Sequence, residues 1–166
     1  MPAGTAFSRK TESVLNRLVA NATNLEKQAA GTAKMKALGR SQVGGYFANM
    51  DKATYQLLMI WNGTEQPKDR QEFTHHLLIH QIAVKPWFSE NDYNNAPEFR
   101  NRVNALIDVA LHNLTHAKRL TQTTQRDRLG VTKHYFKAQW EPRLLEIEAY
   151  LHQLLNQAAQ HIHKNS

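Results

Sequence analysis

Apolar residues recur along most of this chain at intervals of three and four, which is the period of an amphipathic helix. The spacing predicts helices over residues 8–30, 46–61 and 71–84, the second ended at Gly63 and the third at Pro86. Alternating apolar and polar runs, which form half-buried strands, are scarce. The pattern therefore predicts an all-α protein, built as a multi-helix bundle.

The middle of the chain predicts a loop followed by a long helix. Residues 85–96 hold several polar side chains and predict the loop. Asn95, with Glu98 three residues later, resembles a capping box and predicts the start of the next helix. The inward positions predicted for that helix are Phe99, Val103, Leu106, Ile107, Ala110, Leu111 and Leu114.

The last third of the chain predicts two helices joined by a turn. A short polar helix ends at Leu129, Gly130 turns the chain and Thr132 opens the next helix. Pro142 either kinks that helix or begins a new one. An apolar stripe follows at Leu144, Ile147, Leu151, Leu154, Ala158 and Ile162. The stripe fits either a final helix packed on its own domain or a seam between two copies of the chain.

Two stretches of the chain, residues 14–61 and 106–155, share one plan. Each has an apolar helix, a short basic helix, a glycine turn, a helix with aromatic residues and a second apolar helix. In each, Leu-Gly is followed within eight residues by Tyr-Phe. We therefore expect an N-terminal helical region over residues 1–70 and a C-terminal helical region over residues 71–166. Each would hold one helix-turn-helix-like corner, and the second would also hold the terminal amphipathic helix.

The second corner has the residue types of a helix-turn-helix. That motif needs a short helix, a residue that tolerates positive φ, a cap for the second helix and apolar residues between the helices. These roles fall in order on Leu129, Gly130, Val131, Thr132 and Phe136. Residues 113–140 around them hold six Lys or Arg and one acid, Asp127. A basic face beside a capped helix is what phosphate contact and base reading require.

The charge of the whole chain favours an anionic partner. Lys and Arg number 21 against 14 Asp and Glu, so the formal charge is +7 and the pI is about 9.8. Nucleic acid is the first such partner and an anionic membrane surface the second. The excess divides into +5 over residues 1–70, zero over 71–119 and +2 over 120–166. Residues 27–50, around the first corner, hold four Lys or Arg and no acid.

The first corner contains a basic-Ser-Gln-aliphatic run that begins at Arg40 and is followed by a helix that ends in tryptophan. With the Glu-Ser-Val-Leu-Asn-Arg-Leu segment upstream, residues 10–62 resemble the lambda CII class of phage transcriptional activators. Those small helical proteins carry a helix-turn-helix and act as oligomers at promoters. The resemblance implies that Arg40, Ser41 and Gln42 face the DNA groove. A Gly-Gly pair just after this run departs from the family pattern and would shorten or bend the recognition helix.

The second corner lies outside that family. Its Leu-Gly-Val-Thr sequence with a tryptophan further on, within residues 106–155, is similar to helix-turn-helix segments of phage late-gene regulators and antitermination proteins. Both resemblances imply a protein that acts on DNA without catalysing a reaction.

We therefore predict a DNA-binding transcriptional regulator of phage or mobile-element type, non-catalytic and without a cofactor. Lys and Arg would bind phosphates and set the register, while Arg40, Gln42, Lys133 and His134 are candidates for contacts with base edges. The candidate DNA-binding residues are Lys34, Lys36, Arg40, Ser41, Gln42, Arg126, Arg128, Thr132, Lys133, His134 and Lys137. The expected partners are double-stranded DNA, further copies of the chain and RNA polymerase.

The sequence also excludes several classes of protein. Cysteine is absent, which excludes disulfide scaffolds, thiolate zinc fingers, iron–sulfur sites and cysteine nucleophiles. No apolar run approaches the ~20 residues of a membrane span, and the first ten residues lack the pattern of a secretory signal. We therefore expect a cytoplasmic protein without a membrane partner.

Two other functions stay open. His76/His80 and His112/His116 are spaced four apart, each pair with a carboxylate one turn upstream, at Glu72 and Asp108. Two such helices could build a metal site in a helical-bundle enzyme, or the histidines could simply lie at the boundary of the core. We predict no metal site. The other alternative is a helical adaptor that binds another protein, such as polymerase or a host factor.

Overall fold

A computed structural model describes residues 50–164 of the 166-residue chain, and this part is built from helices. They are α1 (Lys52–Asn62), α2 (Pro67–Leu77), α3 (Glu90–Asn95), α4 (Pro97–Thr115), α5 (Gln122–Leu129), α6 (Lys133–Tyr135) and α7 (Glu141–Lys164). Two π-helical turns, Leu78–Ile82 and Phe136–Trp140, extend α2 and join α6 to α7. The predicted all-α, multi-helix fold is confirmed. None of the described helices has the length and apolarity to cross a membrane.

The first helix-turn-helix-like corner lies outside the described residues, and so does the predicted helix over residues 8–30. Five candidate DNA-binding residues belong to this part: Lys34, Lys36, Arg40, Ser41 and Gln42. Their predicted roles stay predictions.

Helix α1 ends as predicted, at Gly63, whose φ of 76° is left-handed and suits glycine. The predicted helix over residues 46–61 is wrong at Met50 and Asp51, which are not helical. The helix begins at Lys52, because the Asp51 carboxylate caps it by accepting a hydrogen bond from the Thr54 N–H at 3.4 Å. Pro67 is the first residue of α2, a position where its missing N–H costs nothing. Helix α2 therefore starts four residues before the predicted position.

The predicted loop over residues 85–96 is wrong in part, because it contains α3. The Ser89 hydroxyl caps this helix by accepting from the Asp92 N–H at 3.2 Å. Asn95 is the last residue of α3 and donates to the Asn91 carbonyl at 3.0 Å, so it does not cap the next helix. Helix α4 instead follows Ala96 and has Pro97 at its start. A six-residue polar helix has no apolar face, and so it leaves no helical period in the sequence.

Helices α4 and α7 pack along each other at the centre of the core, and α1 packs on both. The predicted inward side chains of α4 are buried, except Phe99, which is half-buried. All six residues of the α7 stripe are buried: Leu144, Ile147, Leu151, Leu154, Ala158 and Ile162. The final helix is therefore packed on its own chain, and these side chains are not available for a seam with a second copy. The predicted region boundary at residue 70 stays a prediction.

The helix that Thr132 opens continues past Pro142 as α7. In the turn before this proline, the Glu141 N–H donates to the Phe136 carbonyl five residues back, in place of the usual four. The wide turn accommodates a residue that has no N–H and whose ring would collide with a regular preceding turn. Phe136 and Trp140, at the two ends of this turn, both face the core, where each is 1% exposed.

Gly130 makes the turn before this helix, and we expect Gly130→Ala to destabilise the protein by about 1–2 kcal/mol. A Cβ at this position would meet nothing within 4 Å, so the cost comes only from the φ of 69°. Gly130→Asn should recover part of the loss, because asparagine tolerates the left-handed region better. Urea unfolding measures both variants. Equal stability of Gly130→Ala and the wild type would contradict this account of the turn.

Candidate nucleic-acid interface

The corner between α5 and α6 has regular caps at both helix ends. Thr121 caps α5 by accepting from the Thr124 N–H at 3.2 Å. At the other end the Gly130 N–H donates to the Asp127 carbonyl at 3.1 Å. Thr132 then caps α6, its hydroxyl oxygen accepting from the Tyr135 N–H at 3.3 Å. The predicted Gly130 turn and Thr132 cap are confirmed, and they hold the start of α6 in one orientation.

Core contacts and one hydrogen bond attach this corner to the rest of the protein. Leu129 and Phe136 are buried, 3% and 1% exposed, while the helix-turn-helix motif itself stays a prediction. Val131 is half-buried between them. From α4, the Arg102 guanidinium donates to the Gly130 carbonyl at 3.3 Å and pairs with Glu98 at 2.6 Å. The turn is thus connected both to the core and to the neighbouring helix.

The candidate residues of this corner lie at its surface. Arg128, Thr132, Lys133, His134 and Lys137 are exposed, and Arg126 is half-buried. The Thr132 oxygen accepts the capping hydrogen bond, which leaves its hydroxyl proton to donate elsewhere. The structure therefore leaves the predicted residues of the second corner accessible at the surface, Arg126 less so than the others.

The basic residues of the corner differ from most others in the described part of the chain. Six basic side chains form ion pairs there: Lys52, Lys68, Arg70, Lys85, Arg102 and Arg119. Arg126, Arg128, Lys133 and Lys137 form no ion pair with a carboxylate between residues 50 and 164. The corner therefore carries an excess of positive charge, four basic side chains against the single acid Asp127.

The exposed positions of the helix from Lys133 onwards divide into an outer face and two flanks. His134, Ala138 and Pro142 are exposed and spaced four apart, so they form the outer face. Lys133 and Lys137 form the flank beside α5. A contact with α5 identifies this side, because the Gln122 side chain on α5 donates to the Glu141 carboxylate at 3.0 Å. Glu141 follows Lys137 by four residues, so it lies on the same side of the helix as Lys137. The outer face is thus bordered on one side by two lysines and, one turn further on, by Glu141.

The opposite flank carries a feature that sequence reasoning missed. Tyr135, Gln139 and Arg143 follow one another at intervals of four there. The central guanidinium carbon of Arg143 lies 4.6 Å from the ring centroid of Trp87 and 4.6 Å from that of Trp140. Trp140 and Arg143 are three residues apart, and residues at that spacing are neighbours on a helix, so the sequence could have indicated this contact. Trp87 comes from the segment before α3, and only folding brings it here.

The first histidine pair is used for internal contacts. His76 Nε2 lies 3.1 Å from the Tyr150 hydroxyl, and the His76 and His80 rings are 4.8 Å apart. The Glu72 carboxylate upstream is bound to Lys52 at 2.8 Å and Gln56 at 2.6 Å. Burial, and secondly the charge of His80, lower the pKa of His76 below its usual value.

The second histidine pair lies closer to the corner. The His112 and His116 rings stack with centroids 3.7 Å apart, and Asp108 pairs with Arg70 at 3.8 Å. Burial lowers the pKa of His112, and the charges of His116 and Arg128 lower it further. Among residues 50–164 no three His, Asp or Glu side chains come together in a way that could hold a metal ion. The histidine pairs therefore do not join into the bundle site that their spacing allowed.

No protein-family model, curated protein or solved structure matches this chain. The resemblances to phage regulators therefore stay predictions.

Proposed function

We propose that this protein binds duplex DNA, without catalysis, through the corner between α5 and α6. One observation carries the proposal: all four Lys and Arg of this corner lack an acidic partner among the described residues, whereas six of the ten elsewhere have one. Arg126, Arg128, Lys133 and Lys137 thus outnumber Asp127, the exposed acid between the two arginines, next to a capped helix. Phosphates would neutralise these charges and release counterions from the DNA.

The shape of the corner supports an approach by way of the major groove. A helix with its side chains is about 10–12 Å wide, and the major groove is about 12 Å wide. With the outer face of His134 and Ala138 towards the base edges, Lys133 and Lys137 would lie beside one phosphate strand. The Thr132 cap and the Gly130 turn keep this segment in a defined orientation, which repeated base contacts require.

We propose transcriptional regulation in a phage or mobile element as the role of this binding, with the protein acting as an oligomer alongside RNA polymerase. Such a role would place it in the cytoplasm of the host cell. Since the α7 stripe is buried in its own chain, an oligomer would have to form through other residues.

The experiment compares two double variants that lose the same charge. Lys133→Gln/Lys137→Gln removes two lysines of the corner, and Lys68→Gln/Lys164→Gln removes two exposed lysines from other parts of the surface. Fluorescence anisotropy with a labelled duplex of about two helical turns gives the affinity over a series of salt concentrations. The wild type should bind with an affinity that falls steeply with salt. The slope of log K against log [salt] should shrink by roughly 2 in the corner variant.

The control variant should keep nearly the wild-type slope, because its lysines lie away from the corner. Equal losses in both variants would mean that net charge alone attracts the DNA, and would overturn the proposed site. A wild type that does not bind duplex DNA at low salt would overturn the function itself. In that case the helical-adaptor hypothesis would take its place.

A further inference from the structure

We propose that Arg143, held against Trp87 and Trp140, is a second phosphate-binding site, which contacts the DNA strand opposite to the one that Lys133 and Lys137 contact. The inference rests on the proposed function and extends it to the other flank of the same helix. It assigns a ligand class, the phosphodiester backbone of duplex DNA, to a cluster that the sequence analysis did not single out.

The two indole rings hold the guanidinium on one side only. Their centroids are 5.9 Å apart and their planes meet at 65°, while Arg143 lies 4.6 Å from each. If the guanidinium lay between two facing rings, their centroids would be about twice 4.6 Å apart, whereas they are 5.9 Å apart. Arg143 therefore lies against the wedge that the rings form, and the residue as a whole is half-buried.

The cluster is rich in donors, and the acid one helical turn from Arg143, Glu146, is bound to Lys85. Arg143 forms no ion pair with a carboxylate of residues 50–164. The indole N–H groups of Trp87 and Trp140 are buried without a hydrogen-bond partner in that same part of the chain. Buried donors are usually paired, so two unpaired ones beside a cation leave a local field that attracts an anion.

The aromatic wedge also suits the chemistry of phosphate binding. Stacking on aromatic rings attracts the cation to the ring faces and restricts the side chain, while the N–H groups at the edge of the guanidinium stay able to donate. A planar, oriented guanidinium can donate two parallel hydrogen bonds to a phosphate, which an ammonium cannot do. The neighbouring Arg102 is less suited to this role, because it pairs with Glu98 and donates to Gly130.

The position of Arg143 on the helix matches the second strand. It follows Tyr135 and Gln139 on the flank away from α5, whereas Lys133 and Lys137 lie on the flank beside α5. A helix in the major groove has one phosphate strand on each side. Basic side chains on both flanks would therefore fix the depth and direction of the helix in the groove. Such phosphate contacts carry no sequence information themselves.

The test measures duplex affinity and its salt slope in the full-length protein with Arg143→Gln, Arg143→Lys and, as a control, Lys164→Gln. Arg143→Gln should lower the affinity about eightfold at roughly 0.1 M salt and reduce the slope by about 1, the share of one phosphate. Arg143→Lys should keep the slope and lose part of the affinity, because it keeps the charge without the planar fork. Lys164→Gln should change neither quantity.

Urea unfolding of each variant shows that the protein is folded under the binding conditions. If Arg143→Gln does not fold, the DNA affinity of Arg143→Lys decides between the outcomes. An affinity of Arg143→Lys equal to that of the wild type would overturn the proposal. An unchanged slope in folded Arg143→Gln would overturn it as well, and the proposed function would stand on Lys133 and Lys137. Added to the Lys133→Gln/Lys137→Gln background, Arg143→Gln should bring the total loss of slope to about 3. A wild type that does not bind would overturn both proposals.

Discussion

Trp140→Ala should destabilise the protein by about 4 kcal/mol, which is typical of removing a fully buried tryptophan. Trp140 is 1% exposed, and its ring lies 5.9 Å from that of Trp87 and 6.5 Å from that of Phe99. Truncation would leave a cavity at the point where the π-helical turn meets the core, and Arg143 would lose one of its two aromatic contacts. The free energy of urea unfolding measures the loss.

Two further variants show which part of the tryptophan matters. Trp140→Phe should cost much less, about 1 kcal/mol, because the indole N–H has no partner among the described residues and its removal lifts a desolvation penalty. Trp61→Ala is the control for a tryptophan that is only half-buried, and it should cost less than Trp140→Ala. A loss below about 1 kcal/mol for Trp140→Ala would contradict the packing described above.

Glu148→Ala should destabilise the protein by about 3 kcal/mol, because it leaves a half-buried cation, Arg119, unpaired. The Glu148 side chain is 8% exposed and binds the Arg119 guanidinium at 2.7 Å. The Asn113 amide donates to the same carboxylate oxygen at 2.8 Å, while its own oxygen accepts from the Leu120 N–H at 3.0 Å. The network thus connects α7, α4 and the segment before α5. Arg119 is 22% exposed, so water replaces part of the lost interaction, and the expected loss lies at the lower end for buried pairs.

Glu146→Ala is the matched control on the same helix. Glu146 also pairs with a basic residue, Lys85, but its side chain is 53% exposed, and such pairs contribute about 0–1 kcal/mol. Combining Glu148→Leu with Arg119→Met should recover most of the stability that Glu148→Ala loses, since removing both charges leaves neither one unpaired. Equal losses for Glu148→Ala and Glu146→Ala would show that burial does not strengthen the first pair.

Local signals in the sequence predicted the corner well. A short polar helix, a glycine and a threonine before a new helix each act within a few residues. Their outcomes, the left-handed Gly130 and the capping Thr132, depend little on the rest of the chain. The exposed basic residues follow from the same pattern, because the positions left over once Phe136 and Trp140 are buried face outwards.

The sequence did not predict the helix that lacks an apolar face, and it misplaced the start of the helix that lacks a polar cap. Helix α3 lies on the surface and has no buried residue, so the apolar spacing contains no trace of it. Helix α4 begins after Ala96, which has no side chain that could cap it, and the capping-box pattern at Asn95 pointed one residue too early. The apolar spacing could not reveal the first helix, and the capping pattern misplaced the start of the second.

The sequence by itself determined the helices that have an apolar face and which side of the two long ones is buried, since a period of 3.6 requires one apolar side to leave water. It left open what covers the α7 stripe, and only the tertiary structure decided that α4 and α1 cover it rather than a second copy. The contacts between distant segments were decided in the same way. Glu148 meets Arg119, and Arg143 meets Trp87, because packing brings together side chains whose separation along the chain carries no periodic signal.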